Sequence, residues 1–150
     1  MTERTESSIV IDAPPEAVLE VIADFESYPA WTGAVREAEV LKTLPDGRAE
    51  HVRFVLDAGA IRDTYTLAYT WDVDDDGVGS LSWTLVESNV LKAMDGVYEL
   101  EYADDDGETC EVRYALTVDL RIPMLGMLRR KAEKVIIDTA LNELKKRVEG

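Results

Sequence analysis

The last thirty residues, Arg121 to Gly150, restrict the possible folds more than any other stretch. Pro123 suits the start of a helix, where its missing N–H costs nothing. After Gly126 no glycine interrupts the run until Gly150. Leu125, Leu128, Ala132, Val135, Ile136 and Thr139 recur at helical spacing as one apolar stripe. Ile137, Leu141, Leu144 and Val148 form a second stripe, rotated from the first, and Lys131, Lys134, Asp138 and Lys145 take the remaining face. A helix apolar over so wide an arc is expected to be gripped on two sides. The rest of the chain must then supply the grip.

It does so with strands. Ser8–Ile11 is a short β-branched run, and Pro15–Ala23 reads as an amphipathic helix opened by Pro14 and Pro15. Phe25–Trp31, aromatic and broken by Pro29, predicts one more helical turn. From Val35 onward the pattern predicts six strands: 35–44, 49–57, 61–72, 80–87, 91–102 and 109–120. Pro45-Asp46-Gly47, Ala58-Gly59-Ala60, the loop 73–79, Ser88-Asn89 and Asp104–Gly107 separate them. Strands joined by such short loops pair antiparallel, as a meander. Tyr65, Leu67, Tyr69 and Trp71 share one face, as do Leu81, Trp83 and Leu85, and Val112, Tyr114, Leu116 and Val118. The intervening residues are polar, so one face is wet and the other aromatic-rich. Gly96, inside a strand, is expected to mark a bulge. The fold class is therefore α+β: about seven antiparallel strands in β-α-α-β6-α order, curved round the long C-terminal helix.

At 150 residues the chain is expected to be a single domain that buries roughly 70% of its unfolded surface. Without a charged-then-apolar leader or a run of eighteen apolar residues, a cytoplasmic protein is the simplest expectation. Cys110 is the only cysteine, which excludes a disulfide framework or a thiol-rich metal site. The net charge of −15 is uneven. Residues 121–150 hold eight Lys/Arg against four Asp/Glu, and the other 120 residues hold eight against 27. A body of −19 repels phosphates and argues against nucleic-acid binding. Solubility or a salty milieu accounts for the acidity.

Four stretches carry a family resemblance: Ile11–Val18, Asp24–Trp31, Ser82–Glu87 and Met94–Tyr98. With the element order, they resemble the START-like (SRPBCC) superfamily. The likeness is to its bacterial polyketide cyclase/dehydrase and lipid-transport branch, which includes coenzyme Q-binding proteins. The resemblance spans essentially the whole chain. It implies a helix-grip fold with a deep hydrophobic cavity between concave sheet and terminal helix. It carries no shared catalytic set.

The residues expected to line such a cavity are Trp31, Tyr65, Tyr69, Trp83, Tyr98 and Tyr114, with Leu128, Ala132, Val135, Ile136 and Thr139 opposite them. A solid core is the alternative. Several inward phenols favour a hollow, because an unpaired hydroxyl is costly to bury. Asp63 and Glu87 share the inward parity and, with Tyr98, are candidates for acid–base work, against a plain strand-end role. Glu143 shares a helical angle with the first stripe. His51, the single histidine, falls on the wet face, so no His-based triad or metal site is expected. Asp72, Asp74 and Asp76 before Gly77 imitate half a calcium loop, but its twelfth position is Trp83, so a solvated turn is expected. Met124 to Lys131 joins a flexible apolar tip to cations, which suits weak contact with an anionic membrane, or a lid. The leading expectation is a cofactor-free protein that binds, and could transport, a lipid, quinone or polyketide. The alternatives are a polyketide aromatase/cyclase or dehydratase, and a non-catalytic partner-binding module.

Overall fold

In the computed structural model, which describes residues 4–57, 62–121 and 126–150, the chain alternates as its polarity pattern predicts. The elements are β1 (Thr5–Ile11), α1 (Pro15–Ala23), a 3-10 helix (Phe25–Ala30), β2 (Val35–Thr43), β3 (Ala49–Asp57) and β4 (Arg62–Val73). Then follow β5 (Gly79–Ser88), β6 (Leu91–Tyr102), β7 (Cys110–Leu120) and α2 (Gly126–Glu149). The strands form one antiparallel sheet in the order β1-β7-β6-β5-β4-β3-β2, so the meander β2–β7 is closed by β1 returning to its last strand. This is the helix-grip fold. β1 begins at Thr5 rather than Ser8, because pairing extends from Ile11↔Cys110 to Thr5↔Leu116. The expected turn at Ala58-Gly59-Ala60 and the helix opening at Pro123 lie outside the described residues.

Two close approaches fix the sheet's shape. Gly77, at φ +83°, lets the β4–β5 loop lie against the start of α1, where a Cβ would stand 2.7 Å from the Glu16 backbone. Gly96 does not form the expected bulge. Its pairing with Trp83 on one side and Leu116 on the other is in register. A Cβ there would stand 2.3 Å from Trp83 Cζ2, so the glycine instead provides a flat seat for the indole. The register does shift between Thr66↔Glu87 and Leu67↔Leu85, which leaves Val86 as an extra residue on β5.

α2 buries one arc, not two. Ile137, Leu141 and Leu144 are essentially inaccessible, whereas Leu128 and Val135 are 55% and 58% exposed and Thr139 is exposed. The grip comes chiefly from the second stripe, with first-stripe Ile136 packing at its margin, against β1, β7 and α1. Polar anchors fix that rotation. Glu133, only 1% exposed, accepts from the Val118 backbone N–H at 2.6 Å and from Thr5 Oγ1 at 2.6 Å. At the far end Lys145 Nζ donates to Val10 O at 2.8 Å, and the Asp12 N–H donates to Glu149 at 2.8 Å. Turning the first stripe inward would strand the buried Val118 N–H, at a cost of about 1–3 kcal/mol.

Candidate functional site

The concave face carries a chain of touching rings. Trp83 lies 5.3 Å from Tyr98 and 5.5 Å from Tyr114, which are 4.6 Å from each other. Tyr69 continues the chain 5.9 Å from Trp83 and 4.7 Å from Phe25. Tyr28, Phe54 and Tyr65 extend it, with Phe54 and Tyr65 stacked at 5.5 Å. Strand alternation delivers the residues of β3–β7, and the 3-10 helix delivers Phe25 and Tyr28 across the open side.

The rings are buried but not sealed. Tyr65, Tyr69, Tyr98, Tyr114 and Trp83 keep 5–9% of their surface, while the neighbouring aliphatics Val52, Leu81, Val112 and Leu116 keep none. Among the described residues no protein group bonds the hydroxyls of Tyr65, Tyr69, Tyr98 or Tyr114; by contrast Tyr28 donates to Ile22 O at 2.6 Å. Nor are those four hydroxyls among the fully buried polar atoms without a partner, which among the described residues are Thr109 Oγ1 and Arg129 Nε. Each of the four hydroxyls therefore keeps a trace of accessible surface. Burial pushes all five phenols well above their ordinary pKa. Neighbouring phenols add to this at Tyr28, Tyr98, Tyr114 and most clearly Tyr69, which feels Tyr28, Tyr65, Tyr98 and Tyr114, whereas at Tyr65 the further push comes from Asp63. Near neutral pH all five are protonated; the Tyr28 hydroxyl donates to Ile22 O, and the other four hydroxyls have no described protein partner.

The carboxylates expected to join them do not. Glu87 is exposed and sits opposite Thr66 on the outer face. The extra residue Val86 inverts the parity that β5 holds up to Leu85, and a slip of one residue turns every later side chain over. Asp63 is buried, yet both its oxygens are engaged: Ser88 Oγ donates to one and the Asn89 N–H donates to the other at 3.2 Å. Ser88 Oγ in turn accepts from the Val90 and Leu91 N–H groups, so Asp63 braces the β5–β6 turn. Glu143 ties α2 to the segment before β2, accepting from Thr32 Oγ1 and the Gly33 N–H at 3.1 Å each.

Of the helix residues expected opposite the tyrosines, Ala132 and Ile136 are half-buried, while Leu128, Val135 and Thr139 face solvent. Trp31 is half-buried, 5.0 Å from Tyr28. Two residues went unassigned in the sequence. Tyr28 joins the phenol cluster, and its aromatic surroundings at Phe25 and Trp31 were the available signal. Glu133 lies four residues before Ile137 on the buried arc, a spacing that could have flagged it. Asp74 Oδ1 accepts from the Asp76 and Val78 N–H groups as in an ordinary turn. Among the described residues no cluster of three or more His, Cys, Asp or Glu is placed to hold a metal, and no helix is long and apolar enough to cross a membrane.

Residues 2–149 match the family model described as polyketide cyclase / dehydrase and lipid transport. No match is found among curated proteins. Among solved structures, a START superfamily protein from Mycobacterium smegmatis superposes with a TM-score of 0.87 at 16% identity, over 97% of each chain. The Zhui aromatase/cyclase from Streptomyces sp. R1128 gives 0.76 at 17% identity, over 98% of this chain and 93% of its own. A Thermus thermophilus protein gives 0.75 at 24% identity, over 97% of each chain. At these identities the likeness is one of fold.

Proposed function

The chain belongs to the polyketide cyclase/dehydrase and lipid-transport family, and from that premise we propose that it holds an apolar or aromatic small molecule against the concave face. One observation carries the proposal. Four phenols whose hydroxyls have no described protein partner belong to one connected cluster of rings on the concave face. Ring burial would supply affinity, and the hydroxyls would fix orientation. Because the phenols are protonated donors, the arrangement favours a ligand with carbonyl acceptors, such as a quinone or polyketide, over a plain alkyl chain. A second reading, cyclisation of a polyketide-like chain, keeps one support. Tyr98 and Tyr114 could polarise a carbonyl while the concavity folds the chain. It would have to work without Glu87, which faces away, and with Asp63 already engaged.

Exposed Met127 (76%) and Leu128 (55%), beside Arg130 and Lys131, support loading at an anionic membrane surface. Met124 and Leu125 lie outside the described residues.

Native mass spectrometry of the purified protein, followed by organic extraction, tests the main reading. A released quinone, polyphenol or lipid, or a mass shift with one member of such a panel, is the expected result. An apo mass unmoved across the panel would make the interior a plain core and turn attention to a partner-binding module. If a polyketide substrate analogue is turned over, and Tyr98→Phe stops turnover while sparing binding, the cyclase reading takes precedence.

A further inference from the structure

The outer face of the sheet holds a second concavity, on the opposite side of the single sheet layer from the phenol cluster. It has a volume of about 450 Å³. Its floor is a row of outward residues running across neighbouring strands. Thr84 of β5, Asp95 of β6 and Thr117 of β7 follow one another, with Asp95 and Thr117 directly paired. Arg4 precedes Thr5, the partner of Leu116, and so lies alongside Thr117. Asp119 stands two residues further along β7.

Arg129 completes the rim. Among the described residues the β1–β7 pairing ends at Thr5↔Leu116, and beyond it the Val118 N–H donates to Glu133 instead. One helical turn before Glu133, Arg129 lines the outer concavity.

The charges there are unusual in being unused. Arg129 Nε is fully buried without a hydrogen-bond partner. Among the described residues no ion pair or hydrogen bond joins Arg4 or Arg129 to Asp95 or Asp119, although all four border one concavity; Arg4 is exposed and the other three are half-buried. Half-buried opposite charges that do not reach each other leave a gap with a positive wall and a negative wall. A buried guanidinium N–H without a partner is costly, and a charge-assisted bond to a carboxylate would relieve it. A simple anion would meet repulsion from Asp95 and Asp119, and a simple cation would meet Arg4 and Arg129. A molecule carrying both charges satisfies both walls, and Thr84 and Thr117 offer hydroxyls between them.

We propose that this outer concavity is a binding site for a small zwitterion of the amino-acid type. Its carboxylate is held by Arg129 and Arg4, and its ammonium by Asp95 and Asp119. The site does not depend on what occupies the concave face. Trp83 and Gly96 border it through the sheet, so occupancy is reported by the amides of that pair.

The test is amide-resolved NMR titration of the full chain with L-alanine, L-glutamate and L-arginine. Acetate and methylammonium at equal ionic strength serve as single-charge controls. The expected result is saturable movement of the Trp83, Thr84, Asp95, Gly96 and Thr117 amides with at least one amino acid and not with the controls. Arg129→Gln and Asp119→Asn should each weaken that binding by about tenfold, the scale of one charge-assisted contact. Asp95→Asn provides the same reading should Arg129→Gln fail to fold, and amide dispersion reports folding directly. Movement that acetate reproduces would reduce the feature to non-specific anion attraction and overturn the proposal. So would the absence of any saturable shift with all three amino acids, or full binding retained in both charge variants.

Discussion

A methyl group at Gly96 would stand 2.3 Å from Cζ2 and 2.4 Å from Cε2 of Trp83, well inside any tolerated contact. Gly96→Ala must therefore displace the indole, and the indole is wedged between Tyr69, Tyr98 and Tyr114. Overpacking of this kind costs about 1–3 kcal/mol. A urea melt should show that loss, together with a change in tryptophan emission. An unchanged melt would mean that Trp83 has another low-energy place to lie. Tyr98→Phe and Tyr114→Phe act differently. Each removes a hydroxyl that has no protein partner, so stability should stay within about 0.5 kcal/mol. Affinity for a carbonyl-bearing ligand should fall by roughly fivefold to tenfold, the scale of one neutral hydrogen bond. Equal affinity in wild type and both variants, measured by calorimetry, would remove the hydroxyls from the proposed recognition. Glu87→Ala should change neither quantity, since the carboxylate stands on the outer face.

At the level of elements, α2 separates what pattern could decide from what it could not. The helix was legible, because two apolar stripes at helical spacing need no context. Which stripe is buried was not, because both read as apolar and the choice rests on hydrogen bonds to β1 and β7. Those bonds join residues over a hundred positions apart in two cases, beyond the reach of any local period. Strand faces were legible wherever parity ran unbroken, as in β4 and β7, and failed at Glu87, where one extra residue in β5 is invisible to alternation. Gly96 shows the same limit. A glycine in a strand announces a missing side chain, and only the packing says that an indole takes the place. The rotation of α2 has a direct consequence. Leu144→Ala should cost about 2–5 kcal/mol, as core leucines do, while Leu128→Ala and Val135→Ala should cost under about 0.5 kcal/mol. Glu133→Ala should lose about 1–3 kcal/mol by stranding the Val118 N–H. Thermal melts of the four variants decide it. Large losses at Leu128 and Val135 would put the first stripe inside after all.

For the whole molecule, the net charge of −15 sets one dependence and the buried phenols another. The described surface ion pairs, such as Arg53–Glu39 at 3.3 Å and Lys42–Glu50 at 3.6 Å, are partly exposed and contribute little each. Screening therefore relieves more repulsion than attraction, and the melting temperature should rise as salt goes from low to about 0.5 M. The alkaline dependence runs through the interior. Below the ordinary phenol pKa, near 10, both folded and unfolded chains keep Tyr28, Tyr65, Tyr69, Tyr98 and Tyr114 protonated, and their contribution is fully present. Above it the unfolded chain releases protons that the folded chain retains, because burial has pushed the folded values up. Stability then falls by about 1.4 kcal/mol per pH unit for each phenol. Cys110 adds the same sign from lower pH, since burial raises its thiol from 9.0 to about 11. Urea melts at pH 8, 9, 10 and 10.5 should lose stability slowly at first and then steeply. Phenolate absorbance of the five buried rings should appear together with loss of structure, whereas Tyr102, 45% exposed, can ionise in the folded chain. Phenolate absorbance from more than one ring near pH 10, with the structure intact, would show water already among the tyrosines. The concave face would then be a flooded cleft, and a bound ligand would have to displace that water to gain the hydroxyls.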